Sequence, residues 1–234
     1  MNIINTYHAL AQKYGRQGWW PILIMTHESR SMTQREIRNN LKYGIPYAKL
    51  DDYTEVFRDP YFEIAVWAIL TQNTAWKNVA IAIQNLYDAK ALTPEQLLKL
   101  STLRLQKLIH PAGYFRQKAK KLHIFSRWVI DTLKGDLTAL KQDKIQDSRF
   151  KLLELWGIGK ETADSILLYA LNKPIFVIDE YTRRLCRHYK VEFKEYDEYQ
   201  KFFEGELTRT FPRASERTKI YQEFHGLIVA WGKK

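Results

Sequence analysis

Leu155-Trp156-Gly157-Ile158-Gly159-Lys160-Glu161-Thr162-Ala163 is the stretch on which the reading of this chain turns. A short helix ending near Leu155 runs into a tight turn with two glycines, and a second helix follows through Ile166, Leu167 and Ala170. Glycines at 157 and 159 permit the positive φ such a turn needs and leave backbone N–H groups uncovered. Together with the positive end of the second helix, those groups make an anion site fit for a phosphate. Ile158, between the glycines, is expected to point inward and pin the turn. A glycine turn alone also suits an ordinary αα-hairpin; the full GIGKETA pattern is what singles this one out.

Helix signals dominate on both sides of the hairpin. Phe62, Val66, Ile69 and Leu70 share a face at helical spacing. Thr93-Pro94-Glu95-Gln96 is a helix start, with an N-cap hydroxyl, proline in the first turn and Gln96 at the capping-box position. After Pro111 and Gly113 break the chain, Ala119, Leu122, Phe125, Val129 and Leu133 mark the inner face of a longer helix that Gly135 stops. Ile220, Phe224, Leu227, Ile228 and Trp231 mark another. No convincing period-two alternation is present, so the expected fold is all-α. The segment 26–60 reads as an irregular insertion with a short helix near 33–42, and 205–217 reads as a second connector.

Charge narrows the partner. The 234 residues carry 37 Lys and Arg against 26 Asp and Glu, a formal net charge of +11, which favours a polyanion through phosphate neutralisation. Seven Trp and fourteen Tyr beside those basic residues suit a protein that stacks exposed bases. No run of some eighteen apolar residues indicates a membrane span. The polar N-terminus is unlike a secretory signal. A single cysteine, Cys186, excludes an internal disulfide and a cysteine-ligated cluster or finger. A cytoplasmic setting, nucleoid-associated if the source is bacterial, is the expectation.

LWGIGKETADSILLYA followed by FVIDEYTRR resembles the helix-hairpin-helix and catalytic-aspartate signature of the endonuclease III-like (HhH-GPD) DNA glycosylases. The similarity extends to AILTQNTAW at 68–76 and HPAGYFRQKAKKL at 110–122. With GWWP at 18–21 and FHGLIV at 224–229, the chain is most similar to the 3-methyladenine DNA glycosylase III branch. The resemblance implies two helical domains with a cleft between them: a six-helix barrel over 53–173 containing the hairpin, and a discontinuous partner from 1–52 plus 174–234.

It also implies roles. Asp179 falls on the family's catalytic aspartate, stabilising the cationic sugar that develops as the base leaves. As a residue it equally suits the N-cap of a helix starting at Glu180, and both roles can coexist. Bifunctional members carry a lysine where this chain has Glu161; that amine attacks the sugar and leads to strand cleavage. Lys160, one residue earlier, is rotated by about 100° on a helix and is no substitute. The expected chemistry is therefore hydrolysis by water. Gln72 matches the residue that fills the gap left by a flipped base, although Gln72 and Asn73 equally suit helix-end positions. Trp19, Trp20 and Trp76 match the aromatics that sandwich the base, with core filling as the plain alternative; Glu161 could touch the base or a water. An alkylated purine is cationic, attracted to an indole face and a good leaving group without a general acid. Gly157, Gly159, Lys160 and Thr162 are the expected DNA contacts of the hairpin. Lys118, Lys120, Lys121, Arg183, Arg184 and Arg187 divide between phosphate contact and solvated surface.

The implied partner is double-stranded DNA carrying a damaged base, bound by a monomer. No cofactor is expected beyond a monovalent cation at the hairpin, and no iron–sulfur cluster. Leu227 stands where similar enzymes can have a lysine near the pocket, leaving Lys233 as a replacement candidate. Two other readings stay open: a glycosylase/AP lyase for oxidised bases, and a non-catalytic helix-hairpin-helix DNA-binding module.

Overall fold

The computed structural model describes residues 1–18, 20 and 54–233; Trp19 and the expected short helix at 33–42 lie outside them. Among the described residues the chain is all-α, and extended pairing is limited to two isolated bridges at Glu55–Arg58 and Arg58–Leu92. Helix α1 spans Ile3–Tyr14, α2 Pro60–Leu70, α3 Trp76–Asp88, α4 Pro94–Lys99, α5 Thr102–Ile109 and α6 Phe115–Leu133. They are followed by α7 (Ile145–Leu153), α8 (Lys160–Ser165), α9 (Glu180–His188), α10 (Tyr196–Thr210) and α11 (Ala214–Gly232). No helix of the described residues is long and apolar enough to cross a membrane.

Local chemistry sets most helix ends. Asp59 caps α2 by accepting from the Tyr61 and Phe62 amides, with Pro60 in the first turn, where a missing N–H costs nothing. Thr93 and Ser101 cap α4 and α5 in the same way. Lys134 and Gly135 both take positive φ, and the Gly135 amide returns to the Val129 carbonyl, closing α6. The five apolar residues expected on the inner face of α6 are all buried. Helix α2 is buried nearly all round rather than along a stripe; α3, α6, α8 and the turn after α8 pack on it. At the other end of the molecule, α1 packs against α10 and α11, and α9 against α11.

The segment expected as a connector at 205–217 is mostly helix: α10 runs to Thr210 and α11 starts at Ala214. Its polar residues face solvent while Phe203 and Leu207 anchor α10 in the core, so the polar run is the solvent face of a helix and not a loop. After Ser165 the chain widens into a π turn, Ile166–Ala170, with the Leu171 amide bonded to the Ile166 carbonyl. Gln222 of α11 donates to the Leu168 carbonyl (2.8 Å) and to Asn172 Oδ1 (2.9 Å), satisfying polar groups where the helix ends.

Candidate nucleic-acid interface and active-site cleft

The hairpin joins α7 to α8, and its two glycines differ. Gly157 has φ +84°, where a side chain is strained, and a Cβ there would meet Lys121. Gly159 has φ −95° and is extended; a Cβ there would find no atom within 4 Å. Positive φ is therefore needed at 157 only, which corrects the reading of both glycines as left-handed. Space above the backbone at 159 is open from the chain's own side. Ile158 is buried as expected, and its amide bonds to the Leu155 carbonyl.

Gln72 stands on this turn. Its Nε2 donates to the Gly157 carbonyl (3.1 Å) and to Thr162 Oγ1 (2.8 Å), while its Oε1 accepts from Lys121 Nζ. Thr162 is buried, its hydroxyl engaged by Gln72. Lys160 pairs with Asp197 at 2.7 Å, and that bond helps hold the Asp197 carboxyl below its ordinary range. Trp156 is 49% exposed beside the turn, with Lys120 Nζ 4.4 Å from its ring centroid. Lys118 is a correction: it is neither at the surface nor free for a phosphate. It is buried, and Nζ donates to the carbonyls of Leu70 (2.8 Å) and Ala112 (2.8 Å) and to Thr74 Oγ1 (2.6 Å). Burial, with Lys121 nearby, brings its pKa down to about 8.

A cleft of about 160 Å³ opens between the end of α2, the start of α3, α8 and the last turns of α11. Trp20, Trp76, Glu161, Thr162 and Asp179 all line it, so five of the expected site residues converge on one cavity. Its aromatic wall is layered. Trp20 lies 5.2 Å from Trp76 and edge-on to Tyr169 at 5.0 Å, and Trp76 stacks on buried Trp67 at 4.4 Å and 15°. Trp67 is fixed in turn by Glu63, which pairs with buried Arg58 at 2.7 Å.

Asp179 follows the apolar lead-in Ile175–Ile178 and caps α9, accepting from the Thr182 amide (2.7 Å) and hydroxyl (2.9 Å). Its other oxygen, Oδ2, is 3.3 Å from His225 Nε2 on α11. Burial alone would raise the Asp179 pKa; His225 and the Thr182 donors outweigh it, and the carboxyl sits below its ordinary range. Glu161 moves the opposite way. Crowding by the cleft walls, then repulsion from Asp179, push its pKa up to about 7, although solvent still reaches the residue from the mouth. The two carboxyls of the cleft are thus driven apart in acidity.

His225 and Tyr169 escaped the sequence reading. Tyr169 Oη lies 2.5 Å from His225 Nδ1, and both residues are buried. Histidine in FHGLIV carried no local signal of its neighbour on α9, because the contact is tertiary. Lys233 does line the cleft, and burial lowers its pKa while Asp179 draws it back up. Leu227 is fully buried in the core. Cys186 is buried, which pushes its thiol up to about 11. Among the described residues no three His, Cys, Asp or Glu side chains gather as metal ligands.

Residues 66–207 match the family model of the HhH-GPD superfamily base excision DNA repair proteins. Over 237 aligned residues, 99% of this chain and 87% of the relative, it is 35% identical to a Methanocaldococcus jannaschii protein provisionally named as a DNA repair glycosylase. Endonuclease III of Thermotoga maritima is 30% identical over 127 residues, covering 54% of this chain and 55% of that enzyme. In fold, the chain is similar to the H. pylori 3-methyladenine DNA glycosylase MagIII bound to 1,N6-ethenoadenine, with a TM-score of 0.73 at 24% identity, covering 100% and 98% of the two chains. The glycine hairpin, the capping aspartate in an aromatic cleft and the match over 66–207 have one reading: this chain belongs to the HhH-GPD superfamily of base excision DNA repair proteins.

Proposed function

We propose that the chain is a monofunctional DNA glycosylase that removes alkylated purines such as 3-methyladenine from double-stranded DNA. The observation that carries the reading is Asp179, held ionised in an aromatic-walled cleft that has Glu161, not lysine, on the facing helix α8. The damaged base leaves the stack and enters the cleft, against the Trp20 and Trp76 faces. A cationic purine gains from those rings. The bond from C1′ to the base nitrogen breaks, and the electron pair leaves with the base. Asp179 stabilises the sugar cation left behind, a role of the kind worth about a hundredfold to a thousandfold in rate. Water then adds to C1′ and gives up a proton, leaving an abasic site in an uncut strand.

The hairpin grips a phosphate through the backbone N–H groups around Gly157 and Gly159, with Lys160 and Thr162 beside them. Gln72 fills the gap in the duplex; because it stands on the hairpin, grip and plug move as one unit. Residues 53–173 serve as the barrel, and 1–52 with 174–234 as its partner across the cleft. The name of the similar H. pylori enzyme supports alkylated adenine as the lesion.

Release of free base from alkylated DNA tests the reading. Strand breaks are expected only after alkali, and Asp179→Asn is expected to lose base release. Lys233 favours a second reading, a lyase, since its amine lines the same cleft. Breaks without alkali, together with a borohydride-trapped adduct that Lys233→Gln removes, would replace the first reading with the second.

A further inference from the structure

We propose that Tyr169 and His225 form a positioning relay that presents an N–H to Asp179 and fixes the orientation of its carboxylate. The inference rests on the catalytic reading of Asp179 given above. Asp179 has two oxygens with separate partners: Oδ1 takes the Thr182 amide and hydroxyl, and Oδ2 faces His225 Nε2 at 3.3 Å. The far nitrogen, Nδ1, meets Tyr169 Oη at 2.5 Å. When the hydroxyl donates to Nδ1, the imidazole is neutral with its proton on Nε2, the nitrogen that stands 3.3 Å from Asp179 Oδ2. When the imidazole is protonated, Nδ1 donates to Tyr169 and the hydroxyl can turn to the Gln222 carbonyl, 3.4 Å away. Either way Nε2 carries a proton. His225 therefore faces Asp179 Oδ2 with a proton in both of these states, while Tyr169 fixes the ring from its other nitrogen.

The relay also reaches the base wall, because the Trp20 ring stands edge-on to Tyr169 at 5.0 Å. Other charged groups bear on its pH behaviour: Glu161 on α8 and Lys233 at the end of α11, which line the cleft, and Glu180 and Arg183 of α9, whose charges act on Glu161. His225 stands within 3.3 Å of the Asp179 oxygen that Thr182 leaves open.

The test is single-turnover base release from an alkylated duplex against pH for the wild type, His225→Leu, His225→Gln, Tyr169→Phe and Asp179→Asn, with duplex affinity measured in parallel. His225→Leu is expected to lower the rate about tenfold to a hundredfold without weakening duplex binding, since a small misplacement of a reacting group costs that much. Its acid limb moves to higher pH, because Asp179 loses a neighbour that favours its charged form. His225→Gln, which restores a donor, recovers part of the rate. Tyr169→Phe removes one oxygen and leaves the packing, so it reads the relay even where His225→Leu does not fold; it moves rate and acid limb in the same direction by less. Wild-type rate and acid limb in both His225→Leu and Tyr169→Phe, with Asp179→Asn inactive, would overturn the relay and leave the proposed function standing. An active Asp179→Asn would sink the catalytic reading itself, and the relay with it.

Discussion

Replacing Gly157 with alanine separates the strain of the hairpin from its proposed grip on phosphate. The φ of +84° is a conformation that costs an L-residue about 1–2 kcal/mol. The new methyl would also stand 2.5 Å from Lys121 Cε and 2.8 Å from its Cδ and Cγ, so the lysine must swing away. That movement takes Nζ from Gln72 Oε1, a charged hydrogen bond worth about 1 kcal/mol once solvent access is allowed for. The sum is about 2–3 kcal/mol, which lowers the melting temperature by about 4–12 °C for a chain of this size. Gly159→Ala is the control. At φ −95° with no atom within 4 Å of the added carbon, it loses about 0.5–1 kcal/mol, the margin by which an N-cap prefers glycine to alanine. Its duplex affinity falls about tenfold, or about 1.4 kcal/mol, because the methyl fills space the phosphate must enter. Melting by circular dichroism and duplex titration by fluorescence anisotropy check both variants. A Gly157→Ala protein that melts with the wild type, or a Gly159→Ala protein that binds duplex with wild-type affinity, would refute the division of labour between the two glycines.

Three further outcomes are expected. Arg149 forks onto buried Asp164 at 2.7 and 3.0 Å, so Arg149→Met, which leaves that carboxylate without its cation and with only the neutral donors Gln200 and Tyr196 of α10, costs about 3 kcal/mol in urea unfolding. Lys118→Met leaves the Leu70 carbonyl and the Thr74 hydroxyl without their lysine donor, the Ala112 carbonyl keeping the Thr74 hydroxyl, and costs about 2–3 kcal/mol by the same assay, with the hairpin glycines untouched. Glu161 and Glu204 both have pKa values pushed up from 4.5 to about 7, Glu204 by burial and Glu161, which solvent still reaches, by the cleft walls around it and then by Asp179. Between those values the folded protein holds protons that the unfolded chain has released, so stability falls as pH rises from about 4.5 to about 7. Glu161→Gln is expected to flatten that slope in melting curves without abolishing it, because Glu204 supplies the rest; an unchanged slope would show that Glu161 is not held protonated.

What could be read from sequence was local. The cap at Thr93, the stop at Gly135, the inner face of α6 and the inward Ile158 each depend on a few consecutive residues, and each holds. The Asp179 N-cap is of the same kind. What escaped was set by tertiary packing. Lys118 looks like its neighbours Lys120 and Lys121 until the ends of α2 and the turn before α6 bring three acceptors around it. His225 sits among apolar residues on α11, and only the approach of α9 gives it a carboxylate. Gly159 shares its motif with Gly157 but not its backbone angle, since one fits the turn and the other opens a helix. Trp156, exposed at the hairpin, reads in sequence like any core tryptophan.

The π turn at Ile166–Ala170 gives the cleft an unusual genetic fragility. Each of its residues is buried, and Tyr169 owes its bearing toward α11 to the extra residue that the wide turn accommodates. Deleting one residue there would restore an ordinary α-helical phase and turn every later side chain by about 100°. Tyr169 would then swing away from His225 while the hairpin before it stayed in place. Loss of a single codon there would break the tyrosine–histidine contact by re-phasing the helix, with both side chains still encoded, whereas Tyr169→Phe breaks it by removing one oxygen.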